Sequence, residues 1–149
     1  MKQFEFSLEQ IRDYKKQVLD RENKTLSSLK ARRNEISEKI ISLEKYRDEK
    51  IAQMQQRQVK GVSLGEISSM SFLIENTRKQ IKALQAELCR AAEMVEAQGG
   101  VVLSVYQEKT GMDKLEEKQM EEHRLFEAKA AEGEVMQAIA NRMARKSTA

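Results

Sequence analysis

Apolar and small residues recur at alternating spacings of three and four between Ile67 and Met112, while the positions between them are mostly charged or polar. This pattern is typical of a coiled-coil seam, and a 3.5-residue repeat held for so long predicts a left-handed supercoil. A second helix must therefore cover the stripe. The seam positions on which this prediction rests are Ile67, Ile74, Ile81, Leu84, Leu88, Val95 and Val102.

A weaker stripe runs earlier in the chain, over residues 8–54. Its predicted inward positions include Ile11 and Tyr14, and a four-four step across Glu22 predicts a stutter that locally unwinds the supercoil. Charged side chains at core-type positions would have to extend their charges past the partner helix. We therefore expect this helix to be the less stable one. The charged positions are Glu22, Arg33, Arg47 and Lys50.

Two helix starts carry nearly the same letters, at residues 6–11 and 62–67. Each has a serine that can cap the helix, Ser7 or Ser63, a Gln or Glu three residues later that can reach back, and a flanking apolar pair such as Phe6 and Ile11. We predict a single coiled-coil rod over residues 1–149, with helices at about 7–57 and 64–144 and a turn at about 58–63. So short a connection favours an antiparallel αα-hairpin, in which residue i lies opposite roughly residue 122 minus i.

The predicted second helix is longer than the first, so the expected fold is all-α, a long antiparallel two-helix coiled-coil hairpin with an overhanging C-terminal helix. After about Lys118 the hairpin leaves it without an intrachain partner, yet apolar residues continue at helical spacing. An exposed helix with such a stripe favours a partner protein. We call these residues the C-terminal stripe: Leu125, Phe126, Val135, Met136, Ile139 and Met143.

A second candidate contact surface lies near the turn. Phe72 falls at an outward heptad position, and the hairpin places it roughly opposite Tyr46. An aromatic side chain that points away from the seam is typical of a docking surface. The two candidate surfaces are then expected at opposite ends of the rod.

Composition favours a long helix over a packed globular domain, because the chain has no proline or tryptophan, 5% aromatic residues and 34% charged residues. No apolar run approaches the ~20 residues of a membrane span. The first ten residues lack the continuous apolar segment of a secretory signal. The one cysteine, Cys89, falls at an outward position and is expected to be an exposed reduced thiol.

Catalytic chemistry is not supported. His123 is the only histidine, and the sequence has neither a glycine-rich phosphate loop nor a Cys/His cluster, so we expect no enzyme activity, no cofactor and no metal. A basic stretch at residues 12–33 and an acidic one at 113–134 are interpreted as solvated helix faces. Nucleic-acid binding is disfavoured, since the basic stretch lacks interleaved aromatic residues.

Together these features resemble the flagellar export protein FliJ family, over nearly the whole chain. Where the family often has Asp-Glu in the tail, Gly133-Glu134 stands here. The features that carry the resemblance are Phe4-x-Phe6-x-Leu8-Glu9, Leu43-x-x-Tyr46, Gly61-x-Ser63, Phe72 and Lys114-Leu115-Glu116-Glu117-Lys118.

The resemblance implies a cytoplasmic, non-enzymatic component of the bacterial flagellar type III export apparatus, similar to the central stalk subunit of rotary ATP synthases. It implies three partners: the export ATPase ring, the cytoplasmic domain of the export gate, and export chaperones. Association with the inner face of the cell membrane would be peripheral, through those partners only. By the same logic the C-terminal stripe contacts the ATPase ring and promotes ATPase-driven export, while Tyr46 and Phe72 contact the gate.

Two other classes of function stay open at this point. The chain could be a structural coiled coil that homo-oligomerises through the C-terminal stripe, with no ATPase involved. It could also be an adaptor of another secretion system.

Overall fold

The computed structural model describes residues 3–147. Two long helices are packed against each other: α1 spans Glu9–Lys60 (52 residues) and α2 spans Leu64–Ser147 (84 residues). The absence of proline leaves both backbone ladders uninterrupted. The all-α prediction is confirmed, and each helix runs slightly further toward the C-terminus than the heptad pattern indicates.

The connection between the helices consists of residues 61–63. Gly61 has a φ of 90°, in the left-handed region where glycine commonly ends a helix. The Glu66 backbone N–H donates to Ser63 Oγ at 3.3 Å, so Ser63 caps α2 as predicted. The Glu66 carboxylate does not complete the predicted capping box. It accepts a hydrogen bond from Arg57 of α1 at 2.9 Å and so ties the two sides of the turn together.

The chain divides into two compact units, and each helix contributes to both. The turn unit comprises Asp20–Leu103. The terminal unit comprises, in the described part, residues 3–19 and 104–147.

The core of the turn unit is a cluster of Ile36, Ile40, Ile81 and Ala91, against which partly buried leucines pack. Full burial of one such isoleucine contributes roughly 1.5–3 kcal/mol. Arg32 of α1 lies 3.5 Å from Glu87 of α2, close to the predicted register. Among the predicted seam residues, Ile74, Ile81 and Val95 are buried, whereas Ile67, Leu84, Leu88 and Val102 are half-buried.

A polar pair interrupts the apolar layers of the turn unit. Gln98 Nε2 donates to the backbone carbonyl of Glu22 at 3.0 Å and to its Oε2 at 2.6 Å. Both residues are half-buried. A polar pair in a seam costs stability but discriminates between registers, since any slip leaves a buried polar group unsatisfied.

We expect Gln98→Leu to cost about 1–3 kcal/mol, because the half-buried Glu22 carboxylate loses its donor. The double variant Glu22→Leu/Gln98→Leu should recover that loss, since an apolar pair replaces a polar one. Urea denaturation followed by circular dichroism measures both. Gln85→Leu is the control, because Gln85 is exposed on the same helix. Equal stability of the Gln98 and Gln85 variants would contradict the structural role of the pair.

The seam of the terminal unit is polar, which differs from the prediction. Ile11 and Tyr14, predicted to point inward, are exposed, whereas Arg12 and Lys15 are half-buried. Arg12 forms an ion pair with Glu116 of α2, and Lys15 Nζ lies 2.6 Å from an oxygen of Glu108.

The predicted stutter at Glu22 is therefore wrong. From Leu8 onward the half-buried positions are 8, 12, 15, 18, 19, 22 and 26. Val18 lies inward as predicted, but the set 8, 12, 15, 19, 22 and 26 keeps the alternation of four and three through Glu22. The reason is that acidic residues of α2 pair with Arg12 and Lys15. The prediction had assumed that the apolar neighbours, one position away, would be the ones to turn inward.

The start of α1 also differs from the prediction. Ser7 donates to Gln119 Oε1 of α2 at 3.4 Å instead of capping its own helix. The Glu9 N–H donates to the carbonyl of Phe6 at 3.2 Å, and the Arg12 guanidinium lies over the buried Phe6 ring at 5.5 Å. A cation–π contact with Arg12 thus occupies the ring that was predicted to pack on Ile11.

Contacts of α2 with the segment that precedes α1 reach beyond Lys118, where the prediction ended the intrachain contacts. The rings of Phe4 and His123 lie 5.5 Å apart, and α2 is still half-buried at Glu127. Every residue over 128–147 is exposed.

Candidate interaction surfaces

The C-terminal stripe is exposed in the structure at all six of its predicted positions: Leu125, Phe126, Val135, Met136, Ile139 and Met143. Exposed apolar residues at helical spacing on a charged helix are the pattern from which the sequence predicts a contact surface. Ala128, Ala131 and Glu132 line a shallow depression on it together with Val135 and Met136.

The stripe does not continue the seam toward α1. Leu125 follows His123 by two residues, a rotation of about 200° around a helix, so it projects away from the side on which His123 meets Phe4. Val135, Ile139 and Met143 follow at helical spacing on the side of Leu125. Phe126 lies about 140° around the helix from Ile139 and does not belong to that face. The stripe is thus a narrow apolar line, with Phe126 on another side of the helix.

An exposed ion pair lies at the start of the stripe. Arg124 donates to both carboxylate oxygens of Glu121, at 3.0 and 2.7 Å. The hydrogen bonds from Arg124 lower the pKa of Glu121, against desolvation and with the charge attraction, and the same hydrogen bonds raise the pKa of Arg124. Both groups are charged at neutral pH, so an exposed ion pair lies next to Leu125.

Phe72 is 71% exposed, in agreement with its outward position in the heptad. It lines a shallow depression with Gly65, Ser68, Ser69 and Leu73, all of α2. Tyr46 is 39% exposed and does not line that depression; the Lys50 ammonium lies over its ring at 5.5 Å. The structure therefore places the two aromatic residues in separate local surroundings.

The outward row of Ile11 and Tyr14 is an exposed surface that sequence reasoning missed. The available signal was the strict heptad count from Leu29 back to Leu8, which passes through Lys15 and Arg12. The prediction instead selects Ile11 and Tyr14 because they are hydrophobic. The structure shows the opposite choice, because Glu108 and Glu116 supply partners for the two cations.

Among the described residues, no group of three or more His, Cys, Asp and Glu side chains is placed to hold a metal ion. Neither α1 nor α2 contains a stretch long and apolar enough to cross a membrane. Cys89 is exposed, as expected from its outward position.

A family model described as flagellar FliJ protein matches residues 4–147, nearly the whole chain. No curated protein and no solved structure matches the chain. The match confirms the resemblance to this family over nearly the whole chain. The chain belongs to the flagellar FliJ protein family, a family of non-enzymatic components of the flagellar export apparatus.

Proposed function

We propose that this protein bridges the export ATPase ring and the cytoplasmic domain of the export gate, and that it promotes ATPase-driven export. The observation that carries the proposal is the exposed apolar line of Leu125, Val135, Ile139 and Met143. Export chaperones are further partners by family membership. The protein works in the cytoplasm and reaches the inner face of the membrane only through these partners.

The contact with the ATPase ring is assigned to an overhanging end of α2. Residues 128–147 are all exposed and would form about 30 Å of helix free of α1. A lone helix of that length suits a central pore or groove, where an amphipathic helix buries its apolar line against the surrounding walls. Burial in a ring would also offset the cost of exposing Val135 and Ile139 to water.

Val135→Asp and Ile139→Asp should each reduce ATPase stimulation at least tenfold, because a carboxylate buried in an apolar contact is strongly unfavourable. The measurement is ATP hydrolysis by the isolated export ATPase as this protein is titrated in. Gln137→Asp is the matched control, since Gln137 lies in the same exposed segment about 160° around the helix from Ile139. Full stimulation by both apolar-line variants would show that the ring contact lies elsewhere.

The contact with the export gate is assigned to Phe72 and its depression, with Tyr46 as a second contact. A largely exposed phenylalanine on a charged helix has the properties of an interface anchor, because its burial on binding contributes much and its absence costs the fold little.

Phe72→Ala should weaken binding to the isolated cytoplasmic domain of the gate by about 2 kcal/mol while leaving the melting temperature nearly unchanged. Calorimetric titration and thermal circular dichroism give the two readouts. Tyr46→Ala should have the smaller effect on binding, since Tyr46 is less exposed and already contacts Lys50. A loss of ~3 kcal/mol in the stability of Phe72→Ala would identify Phe72 as a core residue instead.

A further inference from the structure

The charges of the exposed segment 128–147 are unevenly arranged. Lys129 comes first, the acidic residues Glu132 and Glu134 follow it, and basic residues such as Arg142 and Lys146 come last. In the part of the chain that the structure describes, neither Glu132 nor Arg142 forms an ion pair. These two charges therefore stand next to the apolar line without an internal partner.

Glu132 and Arg142 lie on the same face as that line. Glu132, Val135, Ile139 and Arg142 are separated by three, four and three residues, the spacing of successive core positions in a coiled coil. The four positions are also symmetric about Gln137, because Val135 and Ile139 are equally distant from it and so are Glu132 and Arg142.

From this symmetry we infer that residues 128–146 form an antiparallel pairing between two copies of this chain. Val135 of each copy packs against Ile139 of the second copy in the two central layers. Glu132 of each copy pairs with Arg142 of the second copy in the next layer outward. The surface is self-complementary, as a two-fold interface between identical chains requires.

The charges select the antiparallel arrangement. A parallel pairing would put Glu132 beside Glu132 and Arg142 beside Arg142, which repel each other. In the antiparallel arrangement both charged layers are attractive, and the alkyl stem of Lys146 covers Ala128 of the second copy. Gln137 lies on the opposite side of the helix and stays in water.

The pairing uses the face that we assign to the ATPase ring, so the two occupants exclude each other. Self-pairing covers Val135 and Ile139 whenever no ring is present, which keeps an apolar line out of water. The overlap extends over about five helical turns, so the dimer is weak and gives way to a better-fitting partner. The inferred pairing depends only on the charges of this chain, so it does not require that the same face also binds the ATPase ring.

Sedimentation velocity of the full chain tests the inference between about 1 µM and about 500 µM, a range that brackets the micromolar dissociation constant expected of so short a pairing. The wild-type chain should change from monomer to dimer over this range. Glu132→Arg and Arg142→Glu should each weaken dimerisation at least tenfold, because each places like charges opposite each other in two layers.

Two rescue experiments separate pairing from general loss of structure. The double variant Glu132→Arg/Arg142→Glu should dimerise like the wild type, since the swapped charges again attract. An equimolar mixture of the two single variants should form the heterodimer. Glu134→Arg is the control, because Glu134 lies about 140° around the helix from Ile139 and should leave the association unchanged. The inference is overturned by a wild type that stays monomeric, by single variants that dimerise normally, or by failure of the charge swap to restore the dimer.

Discussion

Ile40→Asp should unfold the turn unit, whereas the same substitution at the next residue, Ile41, should leave it folded. Ile40 is 7% exposed in the cluster with Ile36, Ile81 and Ala91, while Ile41 is 62% exposed. A carboxylate at the first position would be buried without a partner, at a cost of several kcal/mol. The total stability of a domain of this size is only about 5–15 kcal/mol.

Helical circular dichroism at 25 °C, followed through a thermal melt, distinguishes the two variants. Ile81→Asp tests the same cluster from α2, since Ile81 is buried in it. The Ile41 variant carries the same added charge and the same loss of helix propensity, so any difference between it and the Ile40 variant arises from burial. Cooperative melting of the Ile40 and Ile81 variants near the wild-type temperature would be incompatible with the observed packing.

Deletion of residues 128–149 should abolish stimulation of the export ATPase while changing the melting temperature by no more than a few degrees. All described residues of that segment are exposed, so little of the apolar burial that stabilises the helices is lost with them. The contacts of Gln119 with Ser7 and of His123 with Phe4 remain.

A longer deletion, from residue 119, is the informative comparison. It removes Gln119 and His123 as well, so it should also weaken protection of residues 3–19 in hydrogen exchange. Parallel assays of hydrolysis and of melting keep function and fold apart. If the shorter deletion retained full stimulation, the helical hairpin itself would have to enter the ring.

The turn unit could be predicted from sequence because its inward positions are apolar where the heptad count places them. Ile36, Ile40, Ile74 and Ile81 satisfy the periodicity and the hydrophobicity together, so both criteria choose one register. Ser63 could be identified as a cap for a related reason, since a serine directly before an apolar-periodic segment has one favourable local role.

In the terminal unit the two criteria disagree, and the prediction followed the wrong one. Hydrophobicity selects Ile11 and Tyr14, whereas the heptad count selects Arg12 and Lys15. The choice depends on Glu108 and Glu116, which are about a hundred residues away in the chain. A pattern within one helix carries no information about charges on the other.

The candidate surfaces were predictable in part. Exposure of Phe72 and of the C-terminal stripe follows from their heptad positions and from the unequal helix lengths. Phe126 belongs to the predicted stripe by hydrophobicity alone, because its angle around the helix places it about 140° from Ile139. That Tyr46 contacts Lys50 and does not line the depression of Phe72 is a matter of side-chain placement, which no sequence spacing indicates.

Ion pairs join α1 to α2 in the terminal unit, so the packing of the helices there should weaken as ionic strength rises. The more exposed of these pairs, Lys15 with Glu108, weakens as dissolved ions screen it over about 8 Å at physiological salt, whereas the isoleucine layers of the turn unit do not. Cooling instead weakens the packing of the turn unit, because the burial of apolar side chains is less favourable at low temperature. High salt should therefore destabilise the segment that carries Ile11 and Tyr14 more than the layers around Ile40 and Ile81. Low temperature should destabilise those isoleucine layers more than the ion-paired segment.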